Sequence, residues 1–181
     1  MNTLQLMHYC HPDCEPLQNI MRLPREEAFR LAQEMADRHP DASAFFRFSD
    51  FVNYYPRRLE ADGILCAAFR SRGGRPVQTH PLSFALQGSD FLDGWFDRGQ
   101  VLHLPLASVP EDQISFTLGD SLGMLERDGG FIFLTLQDLR ERIANHPEGA
   151  EGFLRDAKAQ YRYIEAQLWD DEVCRHARRV R

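Results

Sequence analysis

Lysine is nearly absent from this chain. Lys158 is the only lysine among 21 lysine and arginine residues. Acidic residues number 27, and the net charge is −6 at pH 7. General nucleic-acid binders usually carry a basic excess, so this balance excludes that class. Arginine suits bidentate recognition of anions. Its even spread along the chain, however, favours a codon bias over a dedicated anion site.

Long apolar runs and a secretory signal are also missing from the sequence. No window reaches the roughly 18–20 consecutive apolar residues that a membrane span requires. The first segment, "MNTLQLMHYCHPDC", lacks the basic start and the apolar core of a secretory signal. We therefore expect a cytoplasmic protein that does not contact a membrane. Its four cysteines are then expected to be reduced.

Internal repeats, low-complexity tracts and long linkers are absent as well. The chain has 181 residues, of which 43% are hydrophobic, and this is enough to bury a substantial core. We therefore predict a single domain over residues 1–181.

Two segments of the first half have the pattern of helices. Residues 24–38 repeat apolar side chains at helical spacing, and Pro24 suits the first helical position. The second predicted helix begins at Pro56 and stops before Gly73 and Gly74. The aromatic stretch between the two helices reads as a loop with a short strand at residues 44–48.

Strand-like segments dominate the second half of the chain. They are "PLSFALQ", "VLHLPL", "QISFTL", "GGFIFLT" and "YIEAQLW", and "TLQLMHYC" is an early one. Helices followed by strands indicate an α+β fold rather than a regular alternation with a parallel sheet. We predict a mixed or mostly antiparallel sheet of about five or six strands, with helices packed on one or both faces.

The strand "QISFTL" runs into Gly119, Asp120, Ser121 and Leu122. This motif resembles the first signature of the GDSL/SGNH hydrolases, in which a serine at a strand end attacks an ester or acyl group. The resemblance implies that Ser121 is a nucleophile, with backbone N–H groups holding the oxyanion. It covers only "ISFTLGDSLG", and the later Gly-x-Asn-Asp and Asp-x-x-His blocks of the family are absent. The alternative is an ordinary turn with Asp120 or Ser121 as a cap.

Two arginines, Arg57 and Arg58, directly follow Pro56. In the predicted helix they occupy the first turn, where the helix dipole is already positive. A bound anion would compensate for this placement, because the free N–H groups of a helix start bind phosphate. The alternative is an internal salt bridge to an acidic side chain.

Other residues could complete such an anion site. Arg47 would add a third cation, and Tyr54 and Tyr55 would add aromatic faces. The predicted ligand is then a phosphorylated or nucleotide-like small molecule. The predicted ligand-binding set is Arg47, Tyr54, Tyr55, Arg57 and Arg58.

Glu165 lies in the last predicted strand, "YIEAQLW". Alternation along a strand places it on the same face as Gln167, opposite Ile164, Ala166 and Leu168. A desolvated glutamate has a raised pKa and can act as a general acid or base, so Glu165 is a candidate catalytic residue. The alternative is a residue on the solvated face of an antiparallel strand.

A metal site could lie near the amino terminus, where "HYCHPDC" brings together His8, Cys10, His11 and Cys14. Imidazole and thiolate are zinc ligands, but structural zinc sites usually combine two separate ligand pairs. No second pair is visible, so we expect no bound metal and no cofactor. His8, Cys10 and Cys14 are the weak candidates.

Three functions remain open on these residues. The first is a protein-binding or regulatory module without its own catalysis, whose partner is another protein. The second is a small enzyme for a phosphorylated ligand, with the arginines as anion contacts and Glu165 as acid or base. The third is a serine hydrolase that uses Ser121. The oligomeric state is left open.

Overall fold

Seven strands form one open sheet, and each neighbouring pair is antiparallel. The computed structural model describes residues 4–181. The strands are β1 (Gln5–Cys10), β2 (Leu82–Leu86), β3 (Gln100–Pro105), β4 (Ile114–Leu118), β5 (Phe133–Thr135), β6 (Ile164–Leu168) and β7 (Arg178–Arg179). Their order across the sheet is β5-β4-β6-β2-β1-β3-β7.

Six α-helices accompany the sheet within the described residues. They are α1 (Arg25–Arg38), α2 (Phe51–Ser71), α3 (Asp90–Trp95), α4 (Ser121–Asp128), α5 (Leu136–Asn145) and α6 (Gly149–Tyr161). Short 3-10 turns span Ile20–Arg22, Ser43–Phe45, Phe48–Asp50, Leu106–Ser108, Glu111–Gln113 and Asp171–His176. None of the helices in residues 4–181 has both the length and the apolar content needed to cross a membrane.

The α+β class is confirmed, whereas the expected count of five or six strands is too low. β7 was not predicted, because it consists of Arg178 and Arg179 alone and two charged residues show no alternation. The first strand was predicted over residues 3–10, and position 3 lies outside the described residues.

The predicted start of α2 at Pro56 is wrong, because the helix begins at Phe51 and contains Pro56. The expected strand at residues 44–48 is also wrong, since 3-10 turns occupy this stretch. Aromatic packing explains both errors. Phe51 and Tyr55 lie one helical turn apart, and both pack against Phe29 of α1.

One face of the sheet is the larger apolar core. Phe84, Phe116 and Ile164 lie on this face, and α5 and α6 cover it with Leu139, Leu154 and neighbouring side chains. Burial of apolar area of this extent is the main force that holds helices against a sheet.

The opposite face is polar at its centre. Thr117 is paired with Glu165 in the register of β4 and β6, and Ser115 is paired with Gln167. Alternation therefore puts all four side chains on one face. α2 covers this face, and its Phe69 stacks on the indole of Trp169 at 5.5 Å.

Candidate functional site

Glu165 is the centre of a hydrogen-bonded cluster on the polar face of the sheet. Only 3% of the residue is exposed. The Ser83 hydroxyl donates to Oε1 at 2.6 Å, and the Ser121 backbone N–H donates to Oε2 at 2.9 Å. The Thr117 hydroxyl lies 3.3 Å from Oε2 and shares its one proton with the Gly119 carbonyl oxygen at 3.0 Å. Two full donors and one shared donor thus replace the water that this carboxylate loses on burial. Ser83 itself is exposed, so the cluster has one side near solvent.

Arg58 reaches the same cluster from α2. Its NH1 donates to the Ser121 hydroxyl at 3.4 Å, and its NH2 donates to Asp62, one helical turn on. Asp62 is fully buried, and its other oxygen lies 2.7 Å from Nδ1 of His80. Burial opposes the charged guanidinium, but Asp62 and Glu165 outweigh that effect and raise the pKa of Arg58. Arg58 is therefore a permanent cation here.

Two tyrosines border the cluster. The Tyr163 hydroxyl donates to Oδ2 of Asp120 at 3.1 Å, and Asp120 also caps the start of α4. Burial, followed by the charges of Asp120 and Glu165, raises the pKa of Tyr163 well above its usual value. Burial likewise raises the pKa of Tyr54. Both phenols remain neutral hydrogen-bond donors at physiological pH.

Ser121 is completely buried as the first residue of α4. The polar partner of its hydroxyl is Arg58, a donor that cannot accept a proton. Glu165 bonds to the backbone N–H of Ser121 rather than to its hydroxyl. A serine nucleophile needs an adjacent base, and these contacts do not supply one. The hydrolase stays a prediction.

The predicted ligand-binding residues divide into three places. Arg58 and Tyr54 belong to the buried cluster. Arg47 and Arg57 both pair with Glu126 of α4, at 3.2 Å each. Tyr55 packs against Phe29 and Phe51, in the aromatic contact between α1 and α2.

The dipole argument for these arginines is therefore wrong. Arg57 and Arg58 lie beyond the first turn of α2, because the helix starts five residues before Pro56. A carboxylate of the same chain is paired with each of them. The expected alternative of an internal salt bridge is what the structure shows, and it involves Glu126 and Asp62.

His8 is held by two hydrogen bonds. Its Nδ1 lies 2.9 Å from the Ser83 carbonyl oxygen, and the Leu17 backbone N–H donates to its Nε2 at 3.1 Å. Burial lowers the pKa of His8. The ring is thus neutral with Nδ1 protonated, and neither nitrogen is free for a metal. The metal candidates at Cys10 and Cys14 lose their imidazole partner.

The two cysteines interact with each other. The Cys10 thiol donates to the carbonyl oxygen of Cys14 at 3.3 Å, and neither cysteine forms a disulfide. Hydrogen bonding between the side chains raises the pKa of Cys10 and lowers that of Cys14.

Sequence reasoning missed several members of these clusters. Asp62 lies four residues after Arg58 on a helix, a spacing that by itself predicts an ion pair. His80 has no such local signal, because it is 18 residues away from Asp62 in the chain. The same holds for Asp120 and Tyr163, which are separated by 43 residues.

Two clefts open on the surface. One has a volume of about 500 Å³ and is lined by Tyr9, Ser89, Phe91, Lys158 and Arg162, among others. The other has a volume of about 630 Å³ and is lined by Asp37, His39, Phe45, Phe46 and Trp95, among others. Neither cleft is lined by Arg58, Ser121 or Glu165.

Comparison of the chain with protein-family models, with curated proteins and with solved structures yields no match.

Proposed function

We propose that the chain is a protein-binding or regulatory module and that the outer face of α2 is its binding surface. We define this outer face as the solvent-exposed positions of α2. The apolar residues at these positions are Val52, Pro56, Leu59, Gly63, Ile64 and Ala67. Val52 is 69% exposed, Leu59 38% and Ile64 42%. The single observation that carries the proposal is that apolar residues occupy six of the eleven exposed positions of α2. The other five are Asn53, Arg57, Glu60, Arg70 and Ser71.

The other long helices do not share this property. Among the exposed positions of α1, Leu31 is the only apolar one, and the rest are arginine, glutamate, glutamine and aspartate. The exposed positions of α6 are also mostly polar or charged. A helix of a globular protein normally has one apolar stripe, and contiguous exposed apolar surface marks interaction sites. The outer face of α2 is therefore the surface that favours a partner.

A second copy of this chain is the occupant that the face fits. A two-fold axis between positions 59 and 60 would place position 52 opposite position 67, and position 56 opposite position 63. Gly63 and Ala67 are small enough for close approach of two helices. The axis also brings Arg57 of one copy, which pairs with Glu126 of its own chain, near the oppositely charged Glu60 of the other copy. Such self-complementarity is what a symmetric dimer requires.

Light scattering after size-exclusion chromatography tests this proposal. We expect the wild type to have twice the 21.0 kDa mass of one chain. Leu59→Glu puts a charge in the centre of the interface and should give a monomer. The matched control is Leu31→Glu, which changes a similarly exposed leucine of α1 and should stay dimeric. A wild type that is monomeric across a dilution series contradicts the second copy as occupant.

The smaller cleft supports a second candidate function, the binding of a phosphorylated small molecule. Lys158 donates to the carbonyl oxygen of Gln87 at 2.8 Å, and the Arg162 guanidinium lies 4.7 Å from the ring centre of Phe91. Neither cation forms an ion pair with any residue of 4–181. Asp90 lines the same cleft, yet two cations against one carboxylate leave a positive surplus. Arg58, by contrast, is balanced by two carboxylates of the chain, Asp62 and Glu165.

Thermal shift with pyrophosphate as the probe tests this candidate. We expect pyrophosphate to raise the melting temperature of the wild type, because a ligand that binds only the folded state stabilises it. Lys158→Met should abolish the rise, whereas Arg57→Gln should retain it. A flat wild-type response contradicts the candidate, and a rise that only Arg57→Gln abolishes would locate the ligand at α2.

A further inference from the structure

His11, Asp13 and His39 come together although they belong to different elements. His11 and Asp13 lie in the loop after β1, and His39 caps the end of α1. One potential ligand atom from each of the three side chains lies within 4.8 Å of the other two. His11 is buried, His39 is partly buried and Asp13 is exposed.

The contacts within this cluster leave a nitrogen of His39 unsatisfied. Its Nε2 is buried and lies 3.0 Å from Oδ2 of Asp13. The angles at that contact do not make a hydrogen bond, and Nε2 has no other partner among residues 4–181. Buried polar atoms in proteins are almost always hydrogen-bonded, so an orphaned imidazole nitrogen beside a carboxylate calls for an explanation.

His11 is oriented by a second carboxylate. Its Nε2 lies 3.2 Å from Oδ2 of Asp97, while its Nδ1 accepts a hydrogen bond from the Asp13 backbone N–H at 3.2 Å. Histidines that bind metals usually donate their other ring N–H to a carboxylate in this way. Asp97 is therefore placed to keep Nε2 protonated, and the lone pair of Nδ1 accepts the Asp13 backbone N–H. A metal ion would take the place of this N–H on Nδ1.

We propose that His11, Asp13 and His39 bind a divalent transition-metal ion, with Zn²⁺ as the best match. Two imidazoles and one carboxylate are a common three-ligand set for zinc, which keeps its fourth position open for water or substrate. The carboxylates of Asp13 and Asp97 balance the two positive charges of the ion.

Only small movements are needed to form this site. Zinc bonds to nitrogen and oxygen are about 2.0–2.2 Å long, so tetrahedral ligand atoms lie about 3.3 Å apart. The Asp13 carboxylate already lies 3.0 Å from Nε2 of His39. Asp13 is exposed in a loop, so its backbone N–H can turn away from Nδ1 of His11 and free that nitrogen for the ion. The rings of His11 and His39 are already 4.7 Å apart, and Phe45 packs against both.

The fourth position of the ion would lie beside a cleft. His39 and Phe45 also line the cleft of about 630 Å³, together with Asp37, Asp41 and Trp95. A water or an organic ligand in this cleft can therefore approach the metal. From the sequence we expected no bound metal, and the weak candidates were His8, Cys10 and Cys14, so this site differs from both expectations.

Titration with Co²⁺ and Zn²⁺ tests the proposal on protein that carries no histidine tag. We expect one Co²⁺ per chain, with the visible absorption of a tetrahedral site, and displacement by Zn²⁺ but not by Mg²⁺. Asp13→Asn and His39→Ala should lose the signal. Asp97→Asn should weaken binding about 10- to 100-fold, because Asp97 only orients His11.

A histidine elsewhere provides the matched control. His146 lies 3.2 Å from Asp156 and accepts the Glu148 backbone N–H at 3.2 Å. It belongs to no group of three potential metal ligands among residues 4–181, so His146→Ala should bind metal as the wild type does. Asp13→Asn lies in an exposed loop and keeps the test valid if His39→Ala does not fold. Absence of stoichiometric binding to the wild type overturns the proposal, and so does equal binding by wild type and Asp13→Asn.

Discussion

Glu165 is the residue on which the polar face of the sheet depends most. Its two oxygens accept from the Ser83 hydroxyl and the Ser121 N–H and share the Thr117 hydroxyl with the Gly119 carbonyl oxygen. Arg58 supplies the nearby positive charge. The side chain joins β2, β4, β6 and the start of α4, so its contacts serve stability first. Its candidate role as a catalytic acid or base stays a prediction.

Replacement of Glu165 by glutamine measures how much this charge contributes. The amide keeps the shape of the side chain but presents one acceptor oxygen instead of two and no charge to Arg58. We expect Glu165→Gln to lower the free energy of unfolding by about 1–3 kcal/mol in chemical denaturation. Glu151→Gln, at an exposed position of α6, is the control and should change little. Equal effects of the two substitutions would contradict the described network.

His8 makes the stability of the fold depend on pH. Burial lowers its pKa below the ordinary value of 6.5, so the unfolded chain binds a proton more readily than the folded one. The stabilisation that the folded state gains from a neutral His8 is therefore complete above about pH 6.5. It is lost as the pH falls through the lowered pKa of His8 in the folded state. His8→Asn keeps a donor for the Ser83 carbonyl but does not titrate.

Denaturation curves between neutral and mildly acidic pH check this prediction. The wild type should lose more stability over that range than His8→Asn, although the variant starts lower because the Leu17 N–H loses its acceptor. If the free energy of unfolding changes equally with pH in the two proteins, His8 does not take up a proton on unfolding and the prediction is wrong.

At the scale of elements, the Asp120 side chain both caps the start of α4 and accepts a hydrogen bond from the residue that precedes β6, Tyr163. Asp120 accepts from the Gly123 backbone N–H at the start of this helix and from the hydroxyl of buried Tyr163. Asp120→Ala removes the cap and leaves the phenol unpartnered, so we expect a loss of about 1–3 kcal/mol. Asp120→Asn can still cap α4 with its one amide oxygen and can donate its NH2 to the Tyr163 hydroxyl oxygen, so it should lose less. Urea denaturation at constant m-value separates the two variants, and equal losses would contradict the double role.

The helices also show which boundaries a sequence can reveal. The start of α1 was predicted at Pro24, one residue before the observed start at Arg25, and the end of α2 was predicted before Gly73, because proline and glycine act through local backbone geometry. The start of α2 was placed wrongly, because Pro56 was weighed as a first helical residue. Packing of Phe51 and Tyr55 against α1 decides the true start, and packing partners are not visible in one segment alone.

At the scale of the whole molecule, alternation correctly placed Glu165 on the face opposite Ile164 and Ala166. What alternation cannot tell is which of the two faces is covered, and by what. Ser83 and Glu165 are 82 residues apart, and only the pairing of β2 with β6 brings them together. The cluster of His11, Asp13 and His39 likewise depends on how α1 returns to the end of β1. Such contacts are properties of topology rather than of local pattern.

The outer face of α2 gives this fold its proposed role, and cysteine cross-linking tests that face most directly. Leu59→Cys puts a thiol beside the proposed two-fold axis, where its counterpart in a second copy would come close enough for a disulfide. Leu31→Cys on α1 is the matched control with the same native cysteines. We predict that mild oxidation gives a covalent dimer of Leu59→Cys and none of Leu31→Cys. A Leu59→Cys protein that stays monomeric, or equal cross-linking of the two variants, would contradict the account.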